Sequence, residues 1–249
     1  MRKLIILSLA IFAVSCSRSY KEPIDAASSV APSEISIGGV IAELKDSTQI
    51  PNNGNLNNQS DYQLRIKKLM TQAEAFKNKR KPMEQQAFQS EWKELNKQFM
   101  IHQEELSSED VHVWMTLNDS LLLYSEDVAY ADALERLVYN NLGKYAFTDK
   151  QLKSFVYTRR YDRIYLNLYG SSSMQYEHTT GGSIRLVQST DYPFDGRITL
   201  KVELQDKRFL DLFVRIPAWA SYASVTVKGV KYPVTPGKYS EVARMWKNG

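Results

Sequence analysis

The apolar residues of this chain change their spacing once, near residue 157, and that change limits what the chain can fold into. Before it they recur every three to four positions. Phe88, Trp92, Leu95 and Phe99 form such a stripe within a helix predicted from Met83 to about Leu106, and a stripe of this kind is the buried face of a helix. A charged run containing Leu64, Met70 and Phe76 precedes it, opening at Asp61 as N-cap and closing before Pro82. Two more helices are predicted. Glu109 to Tyr124 aligns Trp114, Leu117, Leu121 and Tyr124, and Val128 to Leu142 aligns Tyr130, Leu134, Leu137 and Val138, with Gly143 as its stop.

After a short helical piece at Gln151 to Tyr157 the period falls to two. Ile164, Leu166 and Leu168 alternate with Tyr165, Asn167 and Tyr169, and Ile198, Leu200, Val202 and Leu204 alternate with polar neighbours. Both patterns are half-buried strands. Further strands are expected at Met174 to His178, Ile184 to Gln188, Leu210 to Ile216, Val225 to Lys228 and Tyr239 to Met245. Turn signals such as Thr180-Gly181-Gly182, Asp195-Gly196, Lys228-Gly229 and Pro236-Gly237 lie between them. Seven short strands at this spacing predict an antiparallel β-sandwich. The fold class is therefore α+β, with a small helical region over 61–158 and a β-sandwich over 159–249.

The first sixty residues read differently. Arg2-Lys3, an apolar run from Leu4 to Val14 and the small residues before Cys16 form a secretory signal. The run is too short to span a bilayer, and polar Ser17-Arg18-Ser19 follows it. Ala13-Val14-Ser15-Cys16 resembles the lipobox of bacterial lipoproteins, in which the cysteine is acylated and becomes the new N-terminus. The expectation is a signal peptide over 1–15 and a lipid anchor on Cys16, placing the protein on a membrane of the bacterial cell envelope with membrane lipid as a partner. Residues 16–60, rich in Ser, Ala, Pro and Asn, read as a flexible tether. Within it only Ile35 to Leu44 is apolar enough to dock. Lys and Arg exceed Asp and Glu by only 32 to 28, and the cluster Lys77, Lys79, Arg80, Lys81 suits a helix C-terminus, so no nucleic-acid partner is expected.

Several stretches of the second half resemble glycoside hydrolase family 127, the β-L-arabinofuranosidase family. They are Tyr130-Ala131-Asp132-Ala133-Leu134-Glu135-Arg136 with Tyr139-Asn140, Ile164-Tyr165-Leu166-Asn167-Leu168-Tyr169-Gly170 and Asp191-Tyr192-Pro193-Phe194-Asp195-Gly196. After these come Val214-Arg215-Ile216-Pro217-Ala218-Trp219-Ala220, Val225-Thr226-Val227-Lys228-Gly229, Pro236-Gly237-Lys238-Tyr239 and Trp246-Lys247-Asn248-Gly249, all in the family's order. The resemblance covers roughly Val111 to Gly249. It makes the helical region the remnant of an (α/α) barrel and implies hydrolysis of arabinofuranosides by a zinc-bound cysteine nucleophile with cysteine and glutamate ligands and a carboxylic acid. Zinc keeps the sulfur as the reactive thiolate at neutral pH.

This chain departs from that pattern at the chemistry. Cys16 is its one cysteine, and an acylated sulfur is neither nucleophile nor ligand. The family's Glu-x-Cys pair counts back to Ser107 and Glu109, and the segment that should carry the catalytic cysteines is a short connection without any. The shortened barrel is expected to offer no enclosed sugar pocket. No catalytic residue, metal ligand set or cofactor is assigned. His102, His112 and His178 lack partners at metal-binding spacing; His112 with Glu109 and Asp110 is the best metal grouping, and an acidic helix start explains it more simply. Asp132 and Glu135 are expected to pair with Arg136 on their own helix, and Ser171, Ser172 and Ser173 to form a turn.

Tyr192, Phe194, Trp219 and Tyr222 fall near predicted strand ends, where flat rings stack on sugar faces or plug the ends of the two sheets. The leading reading is a non-catalytic, membrane-tethered relative with an accessory role on a plant-type or other arabinose-containing glycan. The competing readings are an active arabinofuranosidase and a truncated product, the latter because the resembling family continues past Gly249 into another strand.

Overall fold

The structure, a computed structural model, describes residues 27–29, 34–36, 61–79, 82–102, 106–140 and 149–248; Cys16, His102's side chain and the signal segment lie outside them. Helices α1 (Asp61–Lys79), α2 (Pro82–His102), α3 (Ser108–Tyr124) and α4 (Val128–Asn140) are followed by α5 (Asp149–Val156). The change of period near residue 157 is the junction of α5 with β3 (Tyr157–Arg160). Then come β4 (Arg163–Leu166), β5 (Ser171–Glu177), β6 (Ser183–Thr190), β7 (Ile198–Leu204), β8 (Arg208–Ile216), β9 (Val225–Val227), β10 (Val230–Tyr232) and β11 (Lys238–Trp246).

The helical stripes converge as predicted. Helix α1 packs on α2 and α3, and α3 packs on α4. Trp114 stacks between Trp92, 5.8 Å away, and Phe99, 5.5 Å away, and Tyr130 meets Trp92 edge-on. Buried Asn118 ties this cluster together, accepting from Trp92 Nε1 at 2.9 Å and donating to the Trp114 carbonyl at 2.8 Å. That satisfies an indole N–H that burial would otherwise leave unpaired.

The start of α3 carries a reciprocal cap. Ser107 Oγ accepts from the Asp110 amide at 3.1 Å, and the Asp110 carboxylate accepts from the Ser107 amide at 3.0 Å. This takes up donors that a helix N-terminus leaves free. Ser107→Ala is expected to cost about 1 kcal/mol in urea unfolding; an unchanged midpoint would show that the cap carries nothing.

Later in α3, burial pushes the Asp119 carboxyl up to about 6, against an opposing hydrogen bond from Ser154. Because its folded pKa lies above the unfolded value, ionisation of Asp119 lowers stability as pH rises from about 4 to 6, and the loss persists above that. Asp119→Asn is therefore expected to stabilise the protein by roughly 2 kcal/mol at pH 7.5 and to do little at pH 4. Equal effects at both pH values would refute this assignment.

Two sheets form the other part. A five-stranded sheet runs β1-β3-β4-β8-β11, where β1 is Ala27–Ser29, and a four-stranded sheet β2-β5-β6-β7, where β2 is Glu34–Ser36, with β9 and β10 as a separate ribbon. Most pairs are antiparallel, as the sandwich requires, but β4 and β8 run parallel, with Ile164 beside Leu212 and Leu166 beside Val214. The chain leaves the first sheet after β4, builds β5 to β7 in the second, and returns as β8. Alternation then separates the faces. Ile164, Leu212 and Val214 point toward the four-stranded sheet, while Tyr165, Phe213 and Arg215 point toward the helices. Tyr165 Oη donates to Glu126 at 2.6 Å and stacks on Phe213 at 4.4 Å. The order of layers is helices, five-stranded sheet, four-stranded sheet.

Two sequence expectations need correction here. The tether over 16–60 contains two short strands, β1 (Ala27–Ser29) on β3 and β2 (Glu34–Ser36) on β5; edge backbone groups can be paired without large side chains. Ile35 thus belongs to β2, while 37–44 of the apolar stretch lie outside the described residues. Ser171, Ser172 and Ser173 are not a turn but the start of β5, where Ser172 Oγ donates to the Gly170 carbonyl at 2.9 Å and meets Tyr157 Oη at 2.9 Å. The Lys228-Gly229 signal does form a two-residue hairpin turn, joining β9 to β10 with φ of 49° and 81°. Both central positions then lie in the region that type I′ turns demand.

Candidate binding site

Asp132 and Glu135 are three positions apart on α4 and so share one helix face. That face is turned to the five-stranded sheet, and the cation that meets them is not Arg136 but Arg215 on β8. Arg215 is 0% exposed. Its Nη1 donates to Asp132 Oδ1 at 2.5 Å and to Glu135 Oε2 at 3.2 Å, and its Nη2 donates to Glu135 Oε1. The guanidinium also lies 5.1 Å from the centre of the Tyr169 ring. A planar fork of donors suits two carboxylates better than a single ammonium could. Arg136 is on the same helix, but the Glu135–Arg136 and Asp132–Arg136 contacts predicted for it give way to a buried partner from β8.

Loops complete the shell. The Ala218 amide donates to Asp132 Oδ2 at 3.1 Å, and Trp219 Nε1 donates to Glu135 Oε2 at 3.2 Å. Tyr192 Oη donates to Glu135 Oε1 at 2.6 Å. The Tyr192 ring packs edge-on against Tyr139 at 5.1 Å and Tyr169 at 5.7 Å. Tyr139 Oη donates to the Tyr169 carbonyl and Tyr169 Oη to the Arg215 carbonyl.

The two carboxyls differ in environment. Burial pushes Asp132 up, and Arg215 and the Ala218 amide offset this only in part. Burial pushes Glu135 up as well, but the Arg215 charge, the Arg215 hydrogen bonds and those from Tyr192 and Trp219 outweigh it and leave its pKa below the ordinary value. Glu135 thus stays ionised as the cation's principal counter-ion. The arrangement has the chemistry of a clamp between helix and sheet; every carboxylate oxygen already accepts a hydrogen bond.

The four aromatic candidates separate here. Tyr192 is 6% exposed and its face is covered by other rings, so it is a core residue and not a stacking surface; its hydroxyl needed a buried acceptor, and Glu135 supplies one. Phe194 is 82% exposed, Trp219 57% and Tyr222 99%. Phe194 follows Tyr192 in one loop, and Trp219 and Tyr222 stand in the next, so both loops meet the helices at Glu135 with rings left facing solvent.

Residues 163–249 match the family model "Beta-L-arabinofuranosidase, GH127 middle domain". The sheet region is similar to the GH127 middle domain. The middle-domain match covers about a third of the chain, and it includes Arg215 and both aromatic loops. No curated protein matches the chain. Solved structures similar to it include these three. One is described as a glycoside hydrolase, with 24% identity and a TM-score of 0.50 over 57% of this chain and 31% of that chain. Another is a GH127 β-L-arabinofuranosidase from Geobacillus stearothermophilus T6, with 22% identity and a TM-score of 0.49 over 56% and 29%. The third is a GH127 β-arabinofuranosidase with 26% identity and a TM-score of 0.47 over 57% and 30%. This chain therefore spans about a third of the length of the structures it matches.

The residues present do not fit the thiolate zinc site that the resemblance implies. Ser107 stands at one of the expected ligand positions and its hydroxyl is hydrogen-bonded to Asp110 in the α3 cap; Glu109 is exposed in the first turn. Asp110 is buried in the cap, so the grouping with His112 is a helix start. His178 is also structural. Its Nδ1 accepts from the Thr180 amide at 3.1 Å, which leaves Nε2 to donate to the Phe209 carbonyl at 3.1 Å and fastens the β5–β6 turn to β8. Among the described residues no three His, Cys, Asp or Glu side chains converge into a metal-sized group.

Sequence reasoning missed Arg215. A signal was present: an arginine between Val214 and Ile216 in a strand of apolar residues stands where a charge must find a buried partner, and Asp132 and Glu135 were assigned to the nearer Arg136 instead.

Proposed function

We propose that this protein is a non-catalytic relative of the GH127 arabinofuranosidases, held to a membrane of the bacterial cell envelope by lipid on Cys16, with an accessory role in binding arabinose-containing glycan. The observation that supports it is the state of the carboxylates. Glycoside hydrolysis needs one acid free to protonate the leaving group and a second group to act across the sugar. At the helix–sheet junction Asp132 and Glu135 are instead bound to Arg215, Tyr192, Trp219 and the Ala218 amide. The one thiol is spent on the anchor. What remains available to a sugar are the exposed faces of Phe194, Trp219 and Tyr222, whose apolar rings suit the C–H face of a pyranose or furanose.

Among the described residues no helix is long and apolar enough to cross a membrane; in this reading the lipid supplies attachment. The test uses purified protein on an array of plant and bacterial glycans, with arabinan oligosaccharides assayed in parallel for release of arabinose in the presence of zinc. Binding without release is expected, weakened about tenfold by Phe194→Ala, a loss of about 1.4 kcal/mol, with the melting temperature unchanged. Release of arabinose would defeat the non-catalytic reading, and absence of binding to any glycan would defeat the accessory role.

A further inference from the structure

Along one side of the sandwich the sheets end at β1 and β2, paired with β3 and β5. On the opposite side β7 and β11 are each the last strand of their sheet, without a further strand partner among the described residues. Between them lies a groove of about 600 Å³, within the range of built binding sites. Its floor is the inner faces of the sheets, including Leu200, Val202, Leu212, Val214 and Val242. Val202 is buried but its inward-facing neighbours Ile198 and Leu200 on β7 are only half-buried. The interior of the sandwich is thus open toward that end.

The charge in this groove is of one sign. No Asp or Glu lines it, whereas Lys228, Arg244 and Lys247 do. The Arg244 guanidinium rests 5.5 Å from the Trp246 ring centre, and among the described residues neither it nor the two lysines has a carboxylate partner. A cation held on a ring face beside an apolar groove is set to receive an anion.

We propose that this groove takes an extended peptide segment added as a strand to the free edge of β11. The segment's inward face is apolar, and it carries carboxylates where it passes Arg244, Lys228 and Lys247. The free edge favours a peptide over a small amphiphile, because β11 offers nine residues of ladder positions. Main-chain bonds there give affinity, and alternate side chains give specificity. The proposal rests on the edge of β11 and not on glycan binding, although Trp219 and Tyr222 of the glycan-facing loop also line the groove.

The test measures fluorescence anisotropy of a labelled peptide, Val-Thr-Val-Thr-Val-Thr-Glu-Glu-Glu, against the full chain. Its counterpart ending Lys-Lys-Lys is the control, and two further versions carry N-methyl amides on odd or on even residues. Saturable binding is expected, about tenfold tighter than for the lysine peptide. One N-methyl set should abolish it and the other should not, because only alternate amides face a neighbouring strand. Arg244→Gln should remove most of the preference for Glu and Arg244→Glu should reverse it, each with circular dichroism and melting temperature as in the parent. Three outcomes would overturn the proposal: no saturable binding by folded protein, equal affinity for the acidic and basic peptides, or binding indifferent to both N-methyl sets together with displacement by dodecanoate, which would mark the groove as a site for a small amphiphile.

Discussion

Arg215→Met is expected to destabilise the protein by about 3–5 kcal/mol, because it leaves Asp132 and Glu135 buried without their cation. Methionine replaces much of the volume of the arginine stem, so little of that loss would come from a cavity. Replacing all three groups by apolar residues in one variant, Asp132→Leu, Glu135→Met and Arg215→Met, should recover most of the stability, since no charge is then left uncompensated. Urea unfolding followed by tryptophan fluorescence measures both. If Arg215→Met shifts stability by less than 1 kcal/mol, water must reach the carboxylates and the clamp is not what joins α4 to β8. The parent also has an acid limb from this site. The Glu135 carboxyl sits below its ordinary value, so its contribution is complete above the unfolded pKa and is lost as pH falls through the folded one. Glu135→Gln should flatten that limb while lowering stability at neutral pH.

Trp114→Ala should cost about 3–5 kcal/mol, the usual range for a large aromatic removed from a core. Trp114 is fully enclosed and touches Trp92, Phe99 and Tyr62 through ring contacts. Among the described residues its indole nitrogen has no hydrogen-bond partner, so Trp114→Phe loses only volume and should cost far less than the alanine variant. Trp92 is the useful contrast, because Trp92→Phe also leaves Asn118 Oδ1 without its donor. Thermal melts of the four single variants at Trp92 and Trp114 would separate the two contributions. Equal costs for the two phenylalanine variants would mean that the Asn118 hydrogen bond adds nothing.

The parts of the fold that follow from periodicity were legible. Phe88, Trp92, Leu95 and Phe99 lie on one helix because a 3.6-residue repeat has only one way to place them on a face, and Ile198 to Leu204 is a strand because a two-residue repeat alternates faces. What was hidden depends on distance along the chain. Nothing local to Ser28 or Ile35 says that these positions pair with Arg159 and Ser172. Likewise the nearest cation to Glu135 in sequence is Arg136, and short-range pairing rules select it, while the actual partner lies 80 residues on. The separation of Tyr192 from Phe194, Trp219 and Tyr222 was equally non-local. It turns on whether a neighbouring element brings an acceptor for the ring's hydroxyl, which spacing cannot reveal. The thiolate zinc site was the opposite case, since a site with several cysteines needs more than the single Cys16 that the sequence has.

The parallel contact of β4 with β8 bears on when this protein can become whole. All of β5, β6 and β7 is threaded between two neighbours in the other sheet, so the hairpins of the smaller sheet can assemble from nearby residues while the larger one waits for a strand more than forty positions later. Pairings of that span pay the loop-closure cost before they gain contacts, and they slow folding. A chain emerging during synthesis would therefore hold a finished meander beside an incomplete neighbour, exposing Ile164 and Leu166 to chaperones until β8 arrives.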